Sequence, residues 1–423
     1  MIKRVLAVFC VVSLLFGCCL SAAALPLTEG TSAPSVSAKS AVLIEAESET
    51  ILFEKNAHLP MGMASTTKIM TALVALERCD PQRAFSVPAE AVGVEGSSVY
   101  LTAGESLTMK ELLYALLLSS ANDAALAIAI CVGGSEEGFC ALMNERAKKM
   151  GLESTRFENP HGLYHEEHYT TAYELSRIAA EAMRHPLFRQ IVSTYKQTIP
   201  AGGVPNARLL VNHNKLLRTY EGAIGVKTGF TKKTGRTLVS AAERDGMTLI
   251  AVTLDAPDDW RDHAAMLDYG FATYERVTVA EQEALRLSVP VTGGTAREAI
   301  LTNREAISLI LPKGAAIPAL TVERTARFLF APVLAGDSCG TVSVRIGKQA
   351  SSSPLVIKET VESAKKPFRF FFTLPFGREA SQEQRSVSWN PLSFKNFSPI
   401  AVSFPVAPPR RRSVSDGSRS MAW

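Results

Sequence analysis

Three short stretches of the 423-residue chain carry side chains suited to acyl transfer. In Ser65-Thr66-Thr67-Lys68 a hydroxyl and an amine stand three residues apart, which puts them on one face if the segment is helical. At a helix N-terminus Ser65 would meet outward-pointing backbone N–H groups that favour developing negative charge. Lys68 can accept the serine proton only if its pKa falls well below the free value of about 10.4. Burial and a second nearby cation both push in that direction. The spacing alone is weak, because Ser193/Lys196 and Ser363/Lys366 repeat it.

The second stretch, Ser120-Ala121-Asn122, lies between two apolar runs, Leu112 to Leu118 and Ala124 to Ile130. Polar groups wedged between core helices are costly unless paired. The Ser120 hydroxyl could relay a proton and the Asn122 amide could hold a substrate carbonyl; the same spacing recurs at Ser388-Trp389-Asn390. The third stretch, Lys227-Thr228-Gly229, follows the strand-like run Ala223-Ile224-Gly225-Val226. A glycine on an edge strand lets a ligand backbone approach closely. Lys227 and Thr228 suit a carboxylate. Lys233-Thr234-Gly235 duplicates the pattern, but in a polar stretch that reads as a turn, where its side chains face water.

These residues need elements to hold them. Ser65 to Glu77 lacks Gly and Pro and is apolar on nearly every side, which predicts a buried helix. Thr108-Met109-Lys110-Glu111 is a capping box that opens a helix over Met109 to Leu118. Ser135 to Met150 is amphipathic and stops at Gly151, and Thr171 to Arg184 reads as another helix. Ala41–Ile44 and Thr50–Phe53 predict an antiparallel hairpin; Ala223–Val226, Thr237–Ala242 and Thr248–Leu254 predict three more strands. From Val277 to Phe370 the texture changes to short β-prone runs broken by Gly, Pro and Asn, the pattern of a small β-sandwich.

The two ends read differently. Residues 1–24 have the form of a signal peptide: Lys3-Arg4, an apolar run from Val5 to Leu20, and an Ala22-Ala23-Ala24 cleavage site. Export follows. Residues 25–40 read as a linker and residues 373–423 as a Ser-, Pro- and Arg-rich disordered tail. The net charge of +4 carries little meaning. Lys3-Arg4 supply +2, and the tail from Phe376 has seven basic against three acidic residues, so the body is at −2. A nucleic-acid partner gains no support from that balance. Three of the seven cysteines leave with the leader; Cys79, Cys131, Cys140 and Cys339 lack C-x-x-C spacing and read as buried thiols or at most one pair.

Taken in order, S-x-x-K, S-x-N and K-T-G form the trio of β-lactamases and penicillin-binding proteins. The chain resembles the serine-type D-Ala-D-Ala carboxypeptidases, the low-molecular-weight penicillin-binding proteins. The resemblance extends to the flanks Ala64-Ser65-Thr66-Thr67-Lys68-Ile69-Met70-Thr71, Ser120-Ala121-Asn122-Asp123, Asn159-Pro160-His161-Gly162-Leu163 and Gly225-Val226-Lys227-Thr228-Gly229-Phe230-Thr231. It implies an α/β fold: a β-lactamase/DD-peptidase-like domain over residues 41–275, with an antiparallel sheet flanked by helices and a helical subdomain, then an all-β sandwich over residues 276–372. It implies Ser65 as acyl-ester nucleophile, Lys68 as proton acceptor and Ser120 as relay, with Asn122 beside it. Lys227 and Thr228 would bind the terminal carboxylate, and the N–H groups of Ser65 and Phe230 would form an oxyanion hole. Some relatives have an arginine in an Asn-Arg-Asn setting where this chain has Asn212-His213-Asn214, so His213 takes part of that work.

The implied partners are a peptidoglycan stem ending in D-Ala-D-Ala and β-lactam antibiotics, in the extracytoplasmic envelope, with no cofactor. Membrane contact by the tail is left open. Lys365 to Phe372 is basic and aromatic, yet Pro367 interrupts it, and Arg410-Arg411-Arg412 could touch anionic lipid or simply be solvated. Three rivals remain. A metal site at His161, His165 and His168 is disfavoured because His165-Glu166-Glu167-His168 is not H-E-x-x-H. A β-lactamase would need a water-activating glutamate, for which no well-supported candidate stands out. A non-catalytic wall-binding protein predicts no covalent capture of penicillin.

Overall fold

The computed structural model describes residues 32–201, 207–347 and 349–364. The expected leader, the start of the linker and the C-terminal tail lie outside these residues.

A five-stranded sheet is the centre of the fold. Its strands are β1 (Ser40–Glu45), β2 (Ile51–Lys55), β3 (Ala223–Thr231), β4 (Gly235–Arg244) and β5 (Met247–Leu254). They run in the order β2-β1-β5-β4-β3, each neighbour antiparallel. The first hairpin therefore adds to the sheet built by the last three strands, and β3 is left as an edge.

Both faces of the sheet are covered, which is why β1 reads as the unbroken run Ser-Ala-Val-Leu-Ile with every residue buried. Successive side chains on a strand point to opposite faces. Val42 and Ile44 join one core with the helices α1 (Lys68–Arg78), α2 (Met109–Leu118), α3 (Asn122–Gly133), α4 (Glu136–Lys149), α5 (Ala172–Met183) and α6 (Pro186–Ser193). Ala41 and Leu43 join a second core beneath α7 (Asp259–Thr273). Cutting a fully buried Ile250 back to alanine would cost about 2–5 kcal/mol.

The helix ends follow the capping signals. Thr108 accepts from Glu111 N–H and Glu111 returns the bond, closing the box that opens α2. Ser135 accepts from Gly138 N–H at the start of α4, and Gly151 takes φ +69° just beyond its end. The expected linker is shorter than its composition suggested. Val36 and Ala38 are buried, and Ser37 and Ala38 bond to the carboxylate of Asp262 on α7. Two apolar side chains and a buried carboxylate anchor what Ser/Ala/Pro content marked as loose.

After α7 the chain turns all-β. A ribbon of Tyr274–Ala280 with Ile307–Pro312 accompanies a six-stranded sheet that includes Ser338–Ile346 and Gln349–Ile357. Ile307, Leu309 and Leu311 of the ribbon share a core with Val342, Val344 and Leu355 of the sheet, giving the two-layer packing expected of a sandwich. All four cysteines in the described part are free thiols. No single helix among the described residues is long and apolar enough to cross a membrane.

Candidate active site

Ser65 sits in a 3-10 turn, Ala64–Thr67, that runs directly into α1. The α-helix itself therefore starts three residues later than the apolar pattern suggested. Ala64 enters the turn at φ +47°, an unusual conformation for a non-glycine residue. Thr66 and Thr67 tie the turn with hydroxyl bonds to Met63 O (2.6 Å) and Ala64 O (2.8 Å). Lys68, the first α-helical residue, is completely buried.

Three acceptors surround the Lys68 amine. Nζ lies 3.1 Å from Ser65 Oγ, 2.7 Å from Asn122 Oδ1 and 2.6 Å from His161 O. Burial, reinforced by the Lys227 ammonium and opposed by Asp123, pushes the Lys68 pKa well below its ordinary value. A neutral amine has two N–H bonds and one lone pair. When the amine is neutral, Asn122 and His161 accept its two N–H bonds and the lone pair faces Ser65 Oγ.

Each acceptor is itself held. Asn122 opens α3 after Ser120, which turns the chain at φ +57°, and its Nδ2 donates to Glu95 O. The Asn122 amide thus bonds both Lys68 and Glu95 O, and its Nδ2 has a second N–H beyond these two bonds. The loop carrying His161 packs so tightly on the Ala64–Thr67 turn that a Cβ on Gly162, at φ +87°, would overlap Ala64 O. Thr71 on α1 donates to Pro160 O at 2.6 Å and fixes the same loop.

The Lys-Thr-Gly segment lies on β3, the edge strand, as its flanks predicted. A Cβ at Gly229 would stand 2.9 Å from Ser65 N and 3.1 Å from Thr66 N, so only glycine allows β3 to come this close to Ser65. Lys227 is buried, donates to Thr228 O at 2.9 Å, and has its pKa brought down to about 7 by desolvation. Lys233 is exposed in the turn after β3, its Nζ 5.5 Å from the Tyr164 ring centre, well separated in setting from Lys227.

A groove of about 390 Å³ opens over these elements. It is lined by Ser65, Ser97, Ser120, His213, Lys215, Thr228, Gly229, Phe230, Arg236, Asp259 and Trp260. Ser65, Ser120, Thr228, His213 and Phe230 are therefore brought together, while Lys68, Asn122 and Lys227 are buried beside them. His213 is exposed to the groove; desolvation of its ring and the Lys227 charge lower its pKa.

Two supports escaped sequence reasoning. Buried Asp123 accepts from Ser98 Oγ (2.6 Å) and from the backbone N–H of Val99, Leu101 and Ala124, clamping residues 98–101 beside Ser97. An acidic residue in the first turn of a predicted helix was an available signal for it. His168 accepts from Glu158 N–H at Nδ1 (3.0 Å), so Nε2 carries the proton toward Thr67 Oγ1 at 2.7 Å. Burial holds its pKa at about 3, and it props the Ala64–Thr67 turn as a neutral ring. His161 instead sends its carbonyl to Lys68 and its Nε2 to within 3.4 Å of Glu136.

A lysine, not a histidine, stands within hydrogen-bond distance of the groove serine, which defines the class as a Ser-Lys hydrolase. Comparisons with known proteins specify it further. Residues 28–258 match the family model described as D-alanyl-D-alanine carboxypeptidase, peptidase S11. The D-alanyl-D-alanine carboxypeptidase DacF of Bacillus subtilis is 33% identical over 337 residues, covering 77% of this chain and 86% of that protein. The solved structure of penicillin binding protein 5 from Haemophilus influenzae is similar with a TM-score of 0.66 at 26% identity, over 79% of this chain and all of that one. The Streptomyces K15 DD-transpeptidase is similar over only 57% of this chain yet all of its own length, with a TM-score of 0.55 and 32% identity. The chain belongs to the D-alanyl-D-alanine carboxypeptidase family of serine peptidases.

Proposed function

We propose that the protein is an exported, envelope-facing carboxypeptidase that removes the terminal D-alanine of peptidoglycan stems through an acyl-enzyme on Ser65, and that β-lactams capture the same serine. The observation that carries the reading is the 3.1 Å approach of Ser65 Oγ to a Lys68 amine whose pKa is driven down by burial.

Lys68 takes the Ser65 proton as Oγ attacks the carbonyl between the two D-alanines. The oxyanion gathers N–H bonds from Ser65 and Phe230, the donor pair expected from the close approach of Gly229 to Ser65 N. Lys227, Thr228 and His213 hold the terminal carboxylate. The C–N bond breaks, the leaving amine takes the proton from Lys68 by way of Ser120, and D-alanine departs. Water then adds to the ester with Lys68 as base, and the shortened peptide leaves as an acid.

The test is D-alanine release from a peptide ending in D-Ala-D-Ala. Ser65→Ala should release none. Lys68→Arg should lose about 10²-fold or more, because arginine keeps the charge but stays protonated. Near-normal release by either variant overturns the reading.

A further inference from the structure

The groove extends beyond what hydrolysis uses. Lys215, Arg236, Asp259 and Trp260 line one end of it and have no part in the steps above. They come from three places. Lys215 follows His213 by two residues, Arg236 stands on β4 directly opposite Phe230, and Asp259 and Trp260 open α7.

This end has more positive charge than negative. Asp259 is buried; its Oδ1 lies 2.9 Å from Arg236 Nη2 and accepts from Trp260 N–H at 3.0 Å. Lys215 Nζ lies 5.8 Å from the Trp260 ring centre. Asp259 pairs with Arg236, Asp258 beside it is 4.0 Å from Arg261, and Lys215 is the cation left over at this end. Two buried donors here, Arg236 Nε and Trp260 Nε1, have no acceptor among the described residues. Buried donors without acceptors are costly, so two of them beside a groove mark a place built for an acceptor.

The strand register says which part of a ligand reaches it. Thr228 pairs with Leu238 and Phe230 with Arg236, so Arg236 is two residues, roughly 7 Å, further along the edge than Thr228. A peptide laid along β3 with its terminal carboxylate at Lys227 and Thr228 passes Gly229 and brings an upstream residue level with Arg236. We infer that Lys215, Arg236 and Trp260 form a second anion subsite, which takes a carboxylate carried by the stem peptide upstream of D-Ala-D-Ala. Asp259 orients the guanidinium for it. The inference rests on the carboxypeptidase reading proposed above.

The test compares kcat/KM for D-alanine release from acetyl-L-Glu-D-Ala-D-Ala and acetyl-L-Gln-D-Ala-D-Ala, near-isosteric peptides that differ in one carboxylate. The wild type should prefer the Glu peptide about tenfold, the worth of one charge-assisted hydrogen bond. Arg236→Gln should bring the ratio to within about twofold of one. Trp260→Phe, which keeps the ring and removes only the N–H, should reduce it and serves if the arginine variant fails to fold. Cleavage of both peptides at equal rates by the wild type, or a ratio that survives both substitutions, overturns the subsite and leaves the active site standing. Cleavage of neither peptide overturns both.

Discussion

Asn122 gives its side-chain carbonyl to the amine of Lys68 at 2.7 Å, and so fixes which way the lysine lone pair points. The other N–H goes to His161 O, and the remaining direction is that of Ser65. A base aimed in this way depends on Asn122 being neutral. Asn122→Asp would place a carboxylate against the amine and favour its charged form. The acid limb of the acylation-rate profile should move to higher pH. At a fixed pH on that limb, the rate should fall about tenfold for each pH unit that the limb moves. Penicillin acylation rates measured from pH 5 to 9 check this, and an unmoved profile would remove Asn122 from the tuning of Lys68.

Lys227 and Lys233 head two Lys-Thr-Gly sequences, and only the first lies on the strand that packs against Ser65. Lys227→Ala should cut kcat/KM on a D-Ala-D-Ala peptide about tenfold or more, and Lys233→Ala should stay within about twofold. With its pKa near 7, Lys227 is charged below that pH and neutral above it. Its pull on a substrate carboxylate should fade as pH rises through about 7, giving kcat/KM an alkaline limb there. Lys227→Arg should abolish that limb, because arginine stays charged. A wild-type profile flat from pH 6 to 9 would contradict the assignment.

Two buried histidines should make the fold acid-sensitive. His168 and His263 both have pKa values near 3 in the folded protein, and His263 is enclosed between Ser240 Oγ and Thr253 Oγ1. Between pH 6.5 and 3 the unfolded chain binds protons that the folded one does not, so stability is intact above about 6.5 and falls as pH drops. Each histidine costs at most about 1.4 kcal/mol per pH unit in that window. Urea midpoints at pH 7, 6 and 5 should decline progressively, and His263→Asn should flatten the decline. Equal midpoints from pH 7 to 5 would show that neither ring is buried neutral.

The three stretches that meet at the groove were legible because their pattern is local: a hydroxyl and amine at i, i+3, a polar pair between two apolar helices, and a glycine on a strand. Position separated Lys227 from Lys233 for the same reason, since a turn between two strands can be read from neighbouring residues. What tertiary contact decides was not legible. The partner of Asn122 is 54 residues away, and Ser37 and Ala38 look like linker until Asp262, more than 220 residues on, captures them. His168 belongs to a loop whose meaning appears only when Thr67 stands against it. Arg236 and Trp260 meet across a sheet and a helix start, and no spacing in the sequence announces that they share a groove.

The most direct measurement is to incubate the purified protein with a fluorescent penicillin, digest it and locate the labelled residue. One label per chain is expected, on Ser65, and none on Ser65→Ala. A label on Ser193 or Ser363, or no stable label on a folded protein, would contradict the assignment of Ser65 as the nucleophile.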